Sequence, residues 1–202
     1  MPWYTTIKKE LIKYVKEKKL PSIEIIGHSM GGALAMDIAA ELPNTVSKII
    51  LVDALPCMRE VMMPGVPAES FQYDSPYNNQ MLKMDDNQFK GMASMMAMNM
   101  TNNKDKVETL TNWILEADRK TYVYGYTDLL KLDLKADLSK IKAEALVLSA
   151  PYGAMAKSTI EKQYASLPNK TIEIASDSKH FIMFDQPTWF YKKVNAFLTS
   201  EK

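Results

Sequence analysis

The sequence contains a single cysteine, Cys57, among its 202 residues. One cysteine cannot form an internal disulfide framework or a cysteine-based zinc site. No apolar run approaches the ~18 residues that a membrane-spanning helix needs. The amino-terminal segment is amphipathic and rich in lysine, and it lacks the continuous apolar core of a signal peptide. These absences exclude disulfide-rich and membrane-spanning classes.

An excess of charge of one sign is also missing, since 25 basic and 24 acidic residues give a formal net charge of +1. This balance gives no electrostatic reason to expect nucleic acid or an anionic membrane as a partner. With 47% hydrophobic and 24% charged residues, the composition is that of a globular, soluble protein. The scarcity of cysteine is weak evidence for a cytoplasmic location. Localisation stays open because an export signal would precede Met1.

The first part of the chain alternates helix and strand patterns. Apolar residues at helical spacing predict an amphipathic helix over residues 6–19. A β-branched run over 22–26 predicts a strand, residues 33–40 a helix, and residues 48–52 a second buried strand. This order is a βαβ unit, which predicts an α/β fold with a parallel sheet.

Strand patterns then disappear until residue 145. Proline punctuates the beginning of this stretch, and helical patterns follow over residues 86–99, 104–116 and 119–132. Strand patterns return at 145–149 and 171–174, with helices predicted at 158–167 and 189–198. We therefore predict an α/β core of residues 1–55 and 138–202, interrupted by an all-helical cap over residues 56–137.

The predicted cap is rich in methionine, an unbranched and polarisable residue that suits surfaces adapting to varied apolar shapes. The methionines within it are Met58, Met62, Met63, Met81, Met84, Met92, Met95, Met96, Met98 and Met100. One hypothesis is that the cap roofs an apolar substrate pocket, with Met58, Met62 and Met95 as candidate lining residues. The other is that the methionines form the core of small helices.

The motif that carries chemistry is Gly-x-Ser-x-Gly, formed by Gly27, Ser29 and Gly31. It lies between a predicted strand and a predicted helix, which is the context of a nucleophile elbow. A sharp turn there holds the serine in a strained conformation, and we expect the flanking positions to be glycine to avoid backbone clashes. The helix start offers free N–H groups to an oxyanion, including that of Met30. Ser29 is therefore the candidate nucleophile.

A serine hydroxyl is a poor nucleophile until a base takes its proton. The chain has two histidines, His28 and His180. His28 adjoins the serine on a tight turn that directs its side chain away, so we expect it to pack. His180 follows the last predicted strand by a short loop, which brings it to the same sheet edge as Ser29. His180 is therefore the candidate base.

These segments resemble an α/β-hydrolase-fold serine hydrolase with a helical cap. The elbow reads Gly27-His28-Ser29-Met30-Gly31-Gly32, a form common among esterases, lipases and C–C hydrolases of that family. The segments Lys179-His180-Phe181 and Asp185-Gln186-Pro187 resemble the family's histidine loop. The resemblance implies that the predicted strands are the last four of the family's sheet.

The acid that orients the histidine departs from the family pattern, which usually has it just after the next-to-last strand. Residues 150–157 occupy that place here and contain no carboxylate. Glu161, Asp177 and Asp185 lie further along. Asp53 is the better candidate, because it ends the strand that follows the elbow helix and so reaches the catalytic edge. The resemblance extends to some members, including certain haloalkane dehalogenases, that take their acid from this strand.

A second departure concerns the strands that the family usually has before the elbow strand, one of whose loops supplies another oxyanion N–H. They have no counterpart in the 28 residues before Ser29. We expect this chain to be a fragment, a truncated product, or a chain whose open sheet edge is covered by a second copy or another partner. Losing one oxyanion donor typically costs ~2.7–4 kcal/mol of transition-state stabilisation.

The sequence therefore predicts a serine hydrolase that cleaves a carboxylic ester with a small or medium apolar acyl group. Ser29 would attack, His180 would transfer the proton and Asp53 would orient His180. The Met30 N–H would support the oxyanion, and no metal or organic cofactor is implied. The alternative is a non-catalytic binding protein or an inactive hydrolase fragment. Thioesters, lactones, C–C bonds next to a carbonyl, and acyl transfer stay open.

Overall fold

This computed structural model describes residues 3–151, 153 and 155–200. Residues 1, 2, 152, 154, 201 and 202, which fall within the predicted core, lie outside the described residues. Four strands in the described part form one parallel sheet in the order β1-β2-β3-β4. They are β1 (Ile23–His28), β2 (Val46–Val52), β3 (Glu144–Ser149) and β4 (Lys170–Ile174). The predicted α/β class with a parallel sheet is confirmed.

The strand register brings three loops to one edge of the sheet. His28 at the end of β1 pairs with Val52 of β2, and Val52 pairs with Leu148 of β3. Ser29, Asp53 and Ser149 are the next residues along these three strands. Parallel strands share their carboxyl edge, where open α/β sheets bind ligands. The register therefore places the two predicted site residues Ser29 and Asp53 on neighbouring strand ends.

Ten α-helices occur in the described part of the chain. They are α1 (Trp3–Glu17), α2 (Met30–Glu41), α3 (Met58–Met62), α4 (Pro76–Lys83), α5 (Asp86–Met100), α6 (Val107–Glu116), α7 (Arg119–Lys131), α8 (Lys157–Gln163), α9 (Ile182–Asp185) and α10 (Pro187–Thr199). Short 3-10 helices cover Ala68–Ser70, Lys104–Lys106 and Asp137–Lys140. All predicted helices are present within a few residues of their predicted ends. The short helices α3, α4 and α9 were not predicted.

Alternate residues of the central strands pack into different cores. Ile49 and Leu51 of β2 belong to the larger cluster, which includes residues of α1, α2 and α8. Ile50 and Val52 belong to the other cluster, with Phe190 and further residues of α9 and α10. Because successive side chains of a strand point to opposite faces, helices must cover both. This layering makes the sheet edge a rigid platform for the site.

Residues 56–137, all of which the structure describes, contain helices and no strand. Part of this insert has its own apolar cluster, around Met81, Phe89 and Val123. The carboxylate of Asp128 in α7 connects the insert to α1, because it accepts a hydrogen bond from the Tyr4 backbone N–H at 2.9 Å. The same carboxylate also accepts from the Tyr73 hydroxyl within the insert. The division into core and cap domains stays a prediction.

Strand β1 lies at the edge of the sheet and pairs with β2 alone among the described strands. Its Ile26 is 52% exposed, and Leu11, Tyr14 and Leu20 are also exposed large apolar residues. The expectation that a second copy or another partner covers the open edge stays a prediction. None of the helices in the described residues has the length and apolar character of a membrane span.

Candidate active site

Ser29 lies at the turn between β1 and α2 in an unusual backbone conformation. Its φ is 54° and its ψ is −121°, a strained combination for a residue with a side chain, at a cost of about 1–3 kcal/mol. The Ser29 N–H donates to the Val52 carbonyl at 2.9 Å, and the Ser29 carbonyl accepts from the Gly32 N–H at 2.9 Å. The neighbouring strand and the first turn of α2 therefore hold the serine in this conformation.

Close packing around the elbow requires two glycines. A Cβ added to Gly27 would lie 2.2 Å from the Gly31 carbonyl oxygen, and one added to Gly32 would lie 2.4 Å from the Ala54 Cβ. A Cβ added to Gly31 would have no atom within 4 Å. The expectation that both flanking positions of the motif need glycine for space is therefore wrong for Gly31. The sterically required glycine on that side is Gly32.

Alanine substitutions should distinguish the glycines that close packing requires from Gly31, which it does not. Gly27→Ala and Gly32→Ala should each lower the free energy of unfolding by at least about 1–3 kcal/mol, the usual cost of overpacking. Gly31→Ala is the matched control and should leave the free energy of unfolding unchanged or raise it by up to about 1 kcal/mol, because alanine is favoured over glycine in a helix. Thermal unfolding measures the difference, because each kcal/mol shifts Tm by roughly 2–4 °C in a chain of this size. Equal destabilisation by all three would contradict the packing argument.

Asp53 is the second strained residue at this edge, with a φ of 43°. Its side chain is 1% exposed. One carboxylate oxygen accepts from the Ala150 N–H at 3.0 Å and from the Ser149 hydroxyl at 3.3 Å. The other lies 2.7 Å from Nδ1 of His180. The end of β3, where the family resemblance implies the acid, instead donates hydrogen bonds to Asp53.

His28 packs against the ring of His180 and also donates a hydrogen bond to its backbone. Its Nε2–H donates to the His180 carbonyl at 2.9 Å, and the two ring centroids are 4.5 Å apart. Burial, followed by the charge of His180, lowers the pKa of His28 to about 4. His28 is therefore neutral near pH 7, when the His180 carbonyl fixes its proton on Nε2. The sequence predicts packing for His28 but gives no signal for this hydrogen bond.

The other acids considered in the sequence lie elsewhere. Glu161 pairs with Lys157 on the surface of α8, at 3.8 Å. Asp177 is exposed in the loop before His180. The Asp185 carboxylate accepts from the Lys179 N–H at 2.8 Å. Asp53 alone among these four has a hydrogen bond to the His180 ring in the described structure.

A cavity of about 150 Å³ opens beside these residues and is lined by Ser29, Asp53 and His180. Among the described residues, no hydrogen bond joins the Ser29 hydroxyl to the His180 ring, and such contacts are often long before substrate binds. The Met30 N–H begins α2 and donates to no acceptor in the described part of the chain. It has the character of the free donors at a helix start.

The remaining walls of the cavity are mostly apolar. Leu55, Met58, Met62, Leu129 and Met155 line it. Met58 and Met62 therefore line the same cavity as Ser29, and their role in a substrate pocket stays a prediction.

Met95 does not line the cavity. It is 61% exposed on α5, because the buried face of that helix carries Phe89, Ala93 and Ala97. Met81 lies in the apolar cluster of the insert, and Met84, Met92 and Met96 pack against that cluster. These four methionines are packing residues of the helices, and the hypothesis that the cap roofs a substrate pocket stays a prediction.

In the described residues, no group of three or more His, Cys, Asp or Glu side chains could hold a metal ion.

Comparisons with known proteins bear on the family and the fold of this chain. Residues 6–187 match the profile of the family described as alpha/beta hydrolase fold. A Haemophilus influenzae protein described as an esterase/lipase is 23% identical over 96% of this chain and 67% of its own length. A pimeloyl-[acyl-carrier protein] methyl ester esterase of Wigglesworthia glossinidia brevipalpis is 25% identical over 86% of this chain and 69% of its own.

Solved structures share the fold. A hydrolase from Pseudomonas aeruginosa superposes with a TM-score of 0.79 at 17% identity, covering 98% of this chain and 72% of that one. An esterase from Exiguobacterium antarcticum also gives 0.79 at 17% identity, covering 99% of this chain and 75% of that one.

Proposed function

The chain belongs to the α/β-hydrolase fold family as a hydrolase, and from that premise we propose that it cleaves carboxylic esters with a small or medium apolar acyl group. The observation that carries the proposal is the 2.7 Å contact between His180 Nδ1 and the buried Asp53 carboxylate, beside a strained serine that lines the same cavity. A nucleophile, a base and an orienting acid in one cavity form the constellation that acyl transfer requires.

The reaction proceeds in two halves. The Nδ1–H of His180 donates a hydrogen bond to the Asp53 carboxylate and keeps its proton, which leaves Nε2 as the basic nitrogen. Nε2 takes the proton of the Ser29 hydroxyl as Oγ bonds to the ester carbonyl carbon. The tetrahedral intermediate collapses, its C–O bond to the alcohol breaks, and the alcohol leaves with the proton from His180. Water then attacks the acyl-Ser29 ester by the same steps and releases the carboxylic acid.

The oxyanion of each tetrahedral intermediate needs hydrogen-bond donors that are already oriented. The Met30 N–H adjoins Ser29 at the start of α2, where the helix dipole also favours negative charge. We assign this N–H as one donor.

The volume and lining of the cavity support an apolar acyl group of limited length. A dry apolar cavity of about 150 Å³ accepts a benzene-sized molecule, so we expect room for about six carbon atoms. Met58 and Met62 adapt their shape because methionine is flexible. Each buried methylene contributes about 0.8 kcal/mol, or roughly a fourfold gain in kcat/KM.

A series of p-nitrophenyl esters from acetate to dodecanoate tests the proposal with one leaving group throughout. We expect kcat/KM to rise with acyl length to about six carbons and then to fall. Met58→Ala should move the optimum to longer chains because it enlarges the cavity. Met95→Ala is the matched control, since Met95 is exposed outside the cavity, and it should leave the profile unchanged. No hydrolysis of any ester by folded protein would contradict the proposed function.

A further inference from the structure

Asp185, at the end of α9, holds the chain just before His180. One oxygen of its carboxylate accepts from the Lys179 N–H at 2.8 Å and from the Ser178 hydroxyl at 3.4 Å. Lys179 directly precedes the histidine, so this contact fixes the orientation of the peptide that leads into it. A carboxylate at the carboxyl end of a helix gains nothing from the helix dipole, so these donors are what stabilise its charge.

The other oxygen of Asp185 contacts the helical insert. It accepts hydrogen bonds from the Thr101 hydroxyl, from the Asn102 N–H at 2.9 Å and from the Asn103 N–H at 3.2 Å. These three residues directly follow α5. The single carboxylate therefore joins the loop that carries His180 to the segment that ends α5. Hydrogen bonds to a charged group are stronger than those between neutral groups.

Two further contacts join the same parts of the molecule. The Phe181 N–H, on the other side of the histidine, donates to the Met100 carbonyl at 3.0 Å. The Lys179 ammonium donates to the Met98 carbonyl at 2.9 Å. Both neighbours of His180 are thus tied to the end of α5, whereas the imidazole itself contacts Asp53 in the core.

We propose that Asp185 is a positioning residue for His180, which couples the end of α5 to the placement of the catalytic base. The inference rests on the proposed function and concerns how that site is kept assembled. Asp185 acts through the backbone of Lys179 and through the Thr101–Asn103 segment, without touching substrate. Displacing a base by about 1 Å can cost on the order of 100-fold in rate.

The test begins with Asp185→Asn, which keeps the size of the side chain but replaces one acceptor oxygen with an amide donor. The N–H and hydroxyl groups that donate to the replaced oxygen would then face the NH2 group of the asparagine, which is also a donor. We expect kcat to fall about 10–100-fold, as for other groups that orient a functional side chain, with KM nearly unchanged. Asp177→Asn is the matched control, because Asp177 lies in the same loop with an exposed side chain, and it should keep full activity. Asp185→Glu, which retains both oxygens, should recover part of the rate.

A double-mutant cycle separates positioning from a general loss of stability. In a His180→Ala background, Asp185→Asn should reduce the residual hydrolysis of an activated p-nitrophenyl ester by no more than about twofold. Non-additivity of this kind is expected when two residues act as a unit. Equal losses in both backgrounds, or full activity of Asp185→Asn, would overturn the proposal. If Asp185→Asn does not fold, Thr101→Val removes the hydroxyl that donates to Asp185 and accepts from the Asn103 N–H, and the same cycle decides with that variant. Folded parent protein without any hydrolysis would contradict the proposed function first, and this inference with it.

Discussion

Replacing Ser29 with alanine is expected to lower kcat for ester hydrolysis on the order of 10⁶-fold, the loss typical of removing a triad nucleophile. Without Oγ, no acyl-enzyme can form, and hydrolysis would require direct attack by water. Binding and oxyanion donors would still give a residual rate above that in water. The strained φ of 54° at Ser29 supports this expectation, because backbone strain of this kind clusters at functional sites.

Labelling with a fluorophosphonate probe measures whether Ser29 is an activated nucleophile, without assuming a substrate. Mass spectrometry should locate the adduct on Ser29 in the parent chain and find none in Ser29→Ala. Ser176→Ala is the matched control, because Ser176 is an exposed serine in the loop before His180, and it should label as the parent does. A folded parent that fails to label would favour the binding-protein alternative. Undiminished hydrolysis by Ser29→Ala would rule out the serine mechanism.

The sequence predicts the parts of this fold that depend on local pattern. The strands at β1 and β2 are β-branched runs, and the elbow lies between a strand and a helix, so their order predicts the sheet edge where Ser29 and Asp53 meet. Asp53 is predictable because it ends a strand next to the elbow strand. The sequence also predicts that Asp53 orients His180, but it does not predict the donors from Ser149 and Ala150 that hold the carboxylate, since these come from a distant strand.

The short helices α4 and α9 differ in how much local signal the sequence carries for them. Ser75 caps the start of helix α4, because its hydroxyl accepts from the Asn78 N–H at 3.2 Å, and Pro76 is the first residue of the helix. That pair is a helix-start signal that sequence reasoning could have used. Helix α9 has four residues, too few for any periodic pattern. Its position follows from the packing of Ile182 in the core.

Contacts between distant parts of the chain explain what the sequence does not reveal about the site. The need for glycine at position 32 comes from Ala54, which a Cβ there would meet at 2.4 Å. The role proposed for Asp185 depends on donors from Thr101 to Asn103, more than eighty residues earlier in the chain. In neither case does the spacing within the sequence indicate which residues will meet.

Replacing Asp53 with asparagine is expected to lower kcat about 10⁴-fold, the loss seen when a triad aspartate is amidated with its geometry intact. The Ala150 N–H and the Ser149 hydroxyl both donate to one oxygen of Asp53, so an asparagine would keep its carbonyl oxygen on that side. Its amide nitrogen would then replace the oxygen 2.7 Å from His180 Nδ1. An amide donor there forces the imidazole proton to Nε2, where it blocks transfer from Ser29.

The measurement is kcat and KM for the best ester of the acyl series, together with the rate of fluorophosphonate labelling. Labelling of Asp53→Asn should slow with kcat, because both reactions need the same base, and KM should change little. Glu161→Gln removes the alternative carboxylate that follows β3 and should leave both rates within about twofold of the parent. If Glu161→Gln lost activity and Asp53→Asn retained it, the acid would be the one after β3, and the contact between Asp53 and His180 would be structural. Since Asp53 is buried with donors on both of its oxygens, we expect the large loss to fall on Asp53.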